Sequence, residues 1–99
     1  MSAVAVIAQL QQWYLAQCDG EWEHHSGIDI NTLDNPGWQV RVNLIGTNLE
    51  GRDFARVSAG RSETDWIQAW VEEGSWHAAC GALNLGEALG VFLAWTNEF

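Results

Sequence analysis

The chain has 99 residues, 47% of them hydrophobic and 17% charged, which suits one folded domain over 1–99 and excludes a disordered tail, a collagen-like repeat or a disulfide-dense scaffold. Thirteen acidic residues against four arginines and no lysine give a net charge of −9, which removes Walker-type phosphate loops and Schiff-base chemistry. The negative field disfavours nucleic acid and anionic membranes as direct partners and favours a basic protein.

From Ala3 to Gln17 there is neither glycine nor proline, and Val6, Leu10, Trp13 and Gln17, with Ala3, Ile7 and Tyr14 between them, follow the spacing of one helix face. This predicts a first helix with Ser2 as its N-cap and Asp19-Gly20 as its stop. Glu21-Trp22-Glu23-His24-His25 and Ile28-Asp29-Ile30-Asn31 both alternate, predicting one or two strands broken near Ser26-Gly27. Asp34-Asn35-Pro36-Gly37 is a turn, and Trp38 to Leu44 alternates strictly, with Trp38, Val40, Val42 and Leu44 on the core face. A further strand is expected at Phe54 to Val57. Trp66 to Val71 and Trp76 to Cys80, joined by Glu72-Glu73-Gly74-Ser75, read as a hairpin that leaves open whether Trp66 and Trp70 or Ile67, Ala69 and Val71 face inward. Asn84-x-x-Glu87 reads as a capping box for a final helix with Leu85, Ala88, Leu89, Phe92 and Trp95 on one stripe. The expected fold is α+β: an N-terminal helix, an antiparallel sheet of about four to six strands and a C-terminal helix, with both helices covering one sheet face.

Asp19 to His25 holds three carboxylates and two imidazoles. In an extended segment Glu21, Glu23 and His25 would share one face, an arrangement open to a metal ion or to acid/base work as well as to a solvated acidic strand. The calcium-loop pattern fails, because His24 stands where glycine is needed and Ile30 where glutamate is needed. His77 with Cys80, or His24 with Cys18, has the composition of a nucleophile and base but no activating context. Gly81 to Gly86 has phosphate-loop spacing, yet Glu87 follows it and would repel a phosphate. No catalytic residue, metal or cofactor is therefore expected. With no basic stretch ahead of Ala8, as a secretory signal would carry, Cys18 and Cys80 are expected as reduced thiols of a cytoplasmic protein. No apolar run approaches the ~20 residues of a membrane span.

Trp13-Tyr14, Gln17 to His24, Gly27-Ile28 and Thr32-Leu33-Asp34-Asn35-Pro36-Gly37-Trp38 resemble the Immunity protein 53 family of bacterial polymorphic toxin systems. Asp65-Trp66 and Leu89 to Trp95 extend the resemblance, which runs from about residue 10 to 96 and leaves out 45 to 62. It implies a small cytoplasmic protein that binds a toxin's catalytic domain and protects the producing cell. The sulfurtransferase label attached to some members does not fit, since Cys18 precedes three carboxylates that would oppose a thiolate.

Joined to the charge, the resemblance gives the leading expectation of a non-enzymatic immunity protein. Asp19, Glu21, Glu23 and Asp29 would occlude the basic face of a toxin such as a nuclease. Trp22, His24, Asp34, Asn35, Pro36, Gly37 and Trp38 would form the structural motif. The alternative is a small enzyme or ligand-binding protein with a Trp22/His24/Asp34/Trp38 pocket. Nothing in the sequence fixes the oligomeric state.

Overall fold

The computed structural model describes residues 3–25 and 27–98. Its elements are α1 (Ala3–Gln17), a 3₁₀ turn at Trp22–His24, β1 (Ile28–Leu33), β2 (Gly37–Asn43), β3 (Val57–Gly60), β4 (Trp66–Glu72), β5 (Ser75–Gly81) and α2 (Leu85–Thr96). This is the expected α+β order, with five strands. The proposed Ser2 cap and part of the Ser26-Gly27 break lie outside the described residues.

All neighbouring strands are antiparallel, in the order β1-β2-β5-β4-β3. Two hairpins, β1–β2 and β4–β5, thus join through β2 and β5. The row Ile30, Val40, Ala78, Ala69 and Val57 crosses the whole sheet on the side that the helices cover, and Val40, Ala78 and Ala69 are buried. Ile67 and Ala69 therefore face the helices, while Trp66 and Trp70 lie on the opposite face.

The core is an aromatic cluster. Trp76, fully enclosed, meets Phe54 and Phe92 at ring distances of 6.2 and 5.0 Å, and Phe92 meets Trp13 edge-on at 4.9 Å. The indole N–H of Trp95 donates to the carbonyl of Asp53 (3.0 Å), which fastens α2 over the long β2–β3 connection. Phe54 is consequently a core side chain in a loop, and the third strand begins at Val57, where pairing with Ala69 starts, rather than at Phe54.

Three local expectations are corrected. Residues 21–25 form no strand, because side chains of Asp19 and Glu23 accept the backbone N–H groups of residues 19–22 and close the chain into turns there. Glu21, Glu23 and His25 consequently do not line one face of a strand. Asn84 precedes α2, but its side chain makes no capping bond; its amide donates to the carboxylates of Asp65 and Glu87 instead. The apolar face of α1 is also narrower than its spacing suggests: Val6 is buried and Leu10 and Trp13 pack on the core, while Ile7 and Tyr14 remain exposed.

Candidate functional site

One end of the sheet is built around Trp22. Its ring is buried against Trp13 and Tyr14 (5.8 and 5.7 Å), and its N–H donates to the carbonyl of Asn43 (3.0 Å) at the end of β2. Gly27 lies under the ring, where a β-carbon would come within 2.9 Å of the indole. This anchor holds an acidic loop. Asp19 Oδ1 accepts from the N–H groups of Glu21 and Trp22 (2.9 and 3.0 Å), and the two oxygens of Glu23 accept from Asp19 and Gly20 (2.9 and 2.8 Å).

The N–H groups of Trp22 and Glu21 hold the Asp19 carboxyl below its usual range. The backbone N–H of Glu23 itself, with those of Asp19 and Gly20, does the same for Glu23. Both carboxylates thus stay charged while being tied to their own loop. Glu21 is exposed and projects from the segment they organise.

Beside the loop is a cleft of about 410 Å³ lined by Asp19, Glu21, Trp22, His25, Asn43, Ile45 and Gly46. Ile45 is exposed and packs against Gly74 of the β4–β5 turn, and the N–H of Leu44 donates to the carbonyl of Gly74 (2.9 Å). The hairpin turn therefore brings Glu72 and Glu73 to the same end. Glu50 joins them by accepting from the N–H of Gly46 (3.1 Å). Sequence reasoning missed Ile45, Glu50, Glu72 and Glu73 at this end, because Ile45 and Glu50 arrive there through the bonds of Trp22 to Asn43 and of Gly46 to Glu50, and the Glu72-Glu73 turn through the pairing of β2 with β5.

Asp29 is placed differently. It lies on the helix-free face, ion-paired with Arg41, in a cross-strand row that continues through His77 to Trp70. His77 stacks on Trp70 at 5.4 Å, and the Arg56 guanidinium sits 5.1 Å from the same ring. His77 and Cys80 point to opposite faces, and burial pushes the Cys80 thiol up, so they form no nucleophile and base pair. The other thiol, Cys18, donates to the carbonyl of Tyr14.

The Asp34-Asn35-Pro36-Gly37 turn occupies the other end of the sheet. Gly37 is buried against β5, where a β-carbon would lie 2.3 Å from the carbonyl of Cys80, and the Trp38 N–H donates to the carbonyl of Ala82 (3.0 Å). Nearby, Arg61 bridges Asp65 and Glu87 and ties the β3–β4 connection to the start of α2. Trp22 and His24 are separated from Asp34 and Trp38 by the length of β1, roughly 20 Å at ~3.3 Å per residue. The proposed four-residue pocket does not form, since its members stand at opposite ends of one hairpin.

Among the described residues no three His, Cys, Asp or Glu side chains gather as a metal-holding group, and no helix is long and apolar enough to cross a membrane. No curated protein and no solved structure matches the chain. The family model that matches it is described as Immunity protein 53, over residues 7–97.

Proposed function

The chain belongs to the Immunity protein 53 family, and from that premise we propose that it neutralises a cognate toxin domain by laying its acidic end over a basic active-site face, of the kind a nuclease presents. An immunity protein's role is protective binding, and the toxin is the partner that role implies. The observation that carries the acidic reading is that Asp19 and Glu21 line the cleft that Ile45 borders, with Glu23 in the same loop, Glu50 held by the N–H of Gly46 at its rim and the β4–β5 turn against Ile45. Carboxylates of one sign at one end of the sheet attract a basic surface over several ångströms, and the exposed Ile45 gives that surface an apolar point of contact.

Within this surface Glu21 is the principal docking carboxylate. Asp19 and Glu23 shape the loop and add field, and Asp29 contributes less because Arg41 offsets its charge. The protein acts in the cytoplasm, where a toxin with an intracellular target must be met, and by occlusion rather than by chemistry.

Association with the cognate toxin domain, followed by stopped flow at low and high salt, tests the proposal. Glu21→Lys should slow capture about tenfold at low salt, converging with the parent at high salt, and should leave the melting temperature unchanged. Equal rates at both salts would remove this surface from the mechanism.

A further inference from the structure

The two edges of the sheet are guarded unequally. β3 has four residues and is bracketed by Arg56 and Arg61, both features that discourage edge-to-edge pairing. β1 has six residues, contains no proline or lysine, and among the described residues pairs only with β2. Its single charge, Asp29, is matched by Arg41. No hydrogen bond described for the backbone of residues 28–33 comes from outside the sheet, and Ile30, Asn31 and Thr32 are exposed.

α1, whose Trp13 meets the Trp22 ring that lies over Gly27 just ahead of β1, is apolar too. α1 contains no charged residue from 3 to 17, yet exposes Val4 (79%), Ile7 (53%) and Leu15 (72%), and β1 exposes Ile30 (40%) on the side of the sheet that the helices cover. Of the seven large hydrophobic side chains exposed among the described residues, five belong to α1 and β1.

From the open β1 edge and the charge-free apolar flank beside it, we infer that two copies of this chain pair antiparallel through β1, forming a continuous ten-stranded sheet. The choice of a second copy rests on charge. A basic toxin surface gains nothing from an uncharged flank, whereas two chains of −9 can approach closely only where they carry no net charge.

The register follows from geometry. Antiparallel pairing of a strand with its own copy requires a two-fold axis normal to the sheet, so both helix layers lie on the same side and directly opposed residues have equal parity. Centring on Asp29 would set two carboxylates against each other. Centring on Ile30 places the two Ile30 side chains in contact and Asn31 opposite the partner's Asp29, where an amide can donate to a carboxylate.

This inference takes from the proposed function only that the toxin is basic, and its surface is separate from the acidic end. Light scattering on the purified full chain, from micromolar to millimolar concentration, should show twice the mass of one chain. Hydrogen exchange should show protection of outward amides in 28–33 that fades on dilution. Ile30→Asp, with two carboxylates meeting on the axis, should raise the dimer dissociation constant at least about tenfold while leaving tryptophan near-UV signals and toxin capture intact. A chain that stays single at every concentration overturns the proposal. So does a dimer unaffected by Ile30→Asp with β1 still exchanging freely, or protection of β1 that arises only when the toxin domain is added.

Discussion

The loop at 18–25 and the β1 edge are only a few residues apart in sequence, yet they use their polar groups in opposite ways. In the loop, carboxylates take up the backbone N–H groups, so the chain satisfies itself and keeps its charge. Along β1, backbone groups on the outer edge have no strand beside them among the described residues, and the one carboxylate is matched by Arg41. Self-satisfied backbone with surviving charge acts at a distance and suits capture of an oppositely charged partner. Unsatisfied backbone without net charge acts only at contact, and it suits a matching strand.

Both regions hang on one core, and the comparison breaks most severely there. Trp76→Ala removes the enclosed ring that touches Phe54 and Phe92, and should cost about 3–5 kcal/mol, with loop and sheet signals melting together in a thermal scan. Separate transitions would mean that the two regions are not supported by a common core.

Next in size is the effect of where charge is lost. Glu21→Gln and Val4→Lys each shift net charge by one unit, the first at the acidic end and the second on the uncharged flank. Glu21→Gln should slow toxin association several-fold more than Val4→Lys at low salt. Equal slowing would show that total charge, rather than its placement, governs capture.

Within the loop, Glu21 and Glu23 should separate by role. Glu23→Ala removes the acceptor for the Asp19 and Gly20 N–H groups, and should speed exchange of those two amides about tenfold; Glu21→Ala should leave them protected. NMR-detected exchange checks this.

The smallest effect is expected from pH. Asp19 and Glu23 both have carboxyl pKa values depressed in the folded loop, so their stabilisation is present above the unfolded carboxylate range and lost as pH falls through the folded values. Loop amides should therefore lose protection in acid below about pH 4, while β4 and β5 amides persist. A loop that stays protected well below that range would mean the carboxylate contacts do not order it.

Much of the fold was legible as periodicity. The absence of glycine and proline up to Gln17 gave α1, the parity of Val40, Val42 and Leu44 gave β2 and its inner face, and Glu72-Glu73-Gly74-Ser75 gave the β4–β5 turn. The loop at 18–25 misled because polar and apolar residues also alternate in a turn whose side chains bind its own backbone. The third strand was misplaced because Phe54 is apolar for packing against Trp76 and Trp95, not for pairing. Of the site, the acidic residues at 19, 21 and 23 were visible as a cluster, while those that the fold brings to the same end, at 50, 72 and 73, were not.

The sequence by itself determined the charge, the helix and strand periods, and the family, because these are properties of composition and of residues close along the chain. Only the folded contacts set which acidic residues stand at one end of the sheet and which strand is left at an edge. That choice depends on contacts between distant residues, such as β2 with β5 and Arg41 with Asp29. Local pattern carries no record of which distant segments will become neighbours once the apolar faces are buried together.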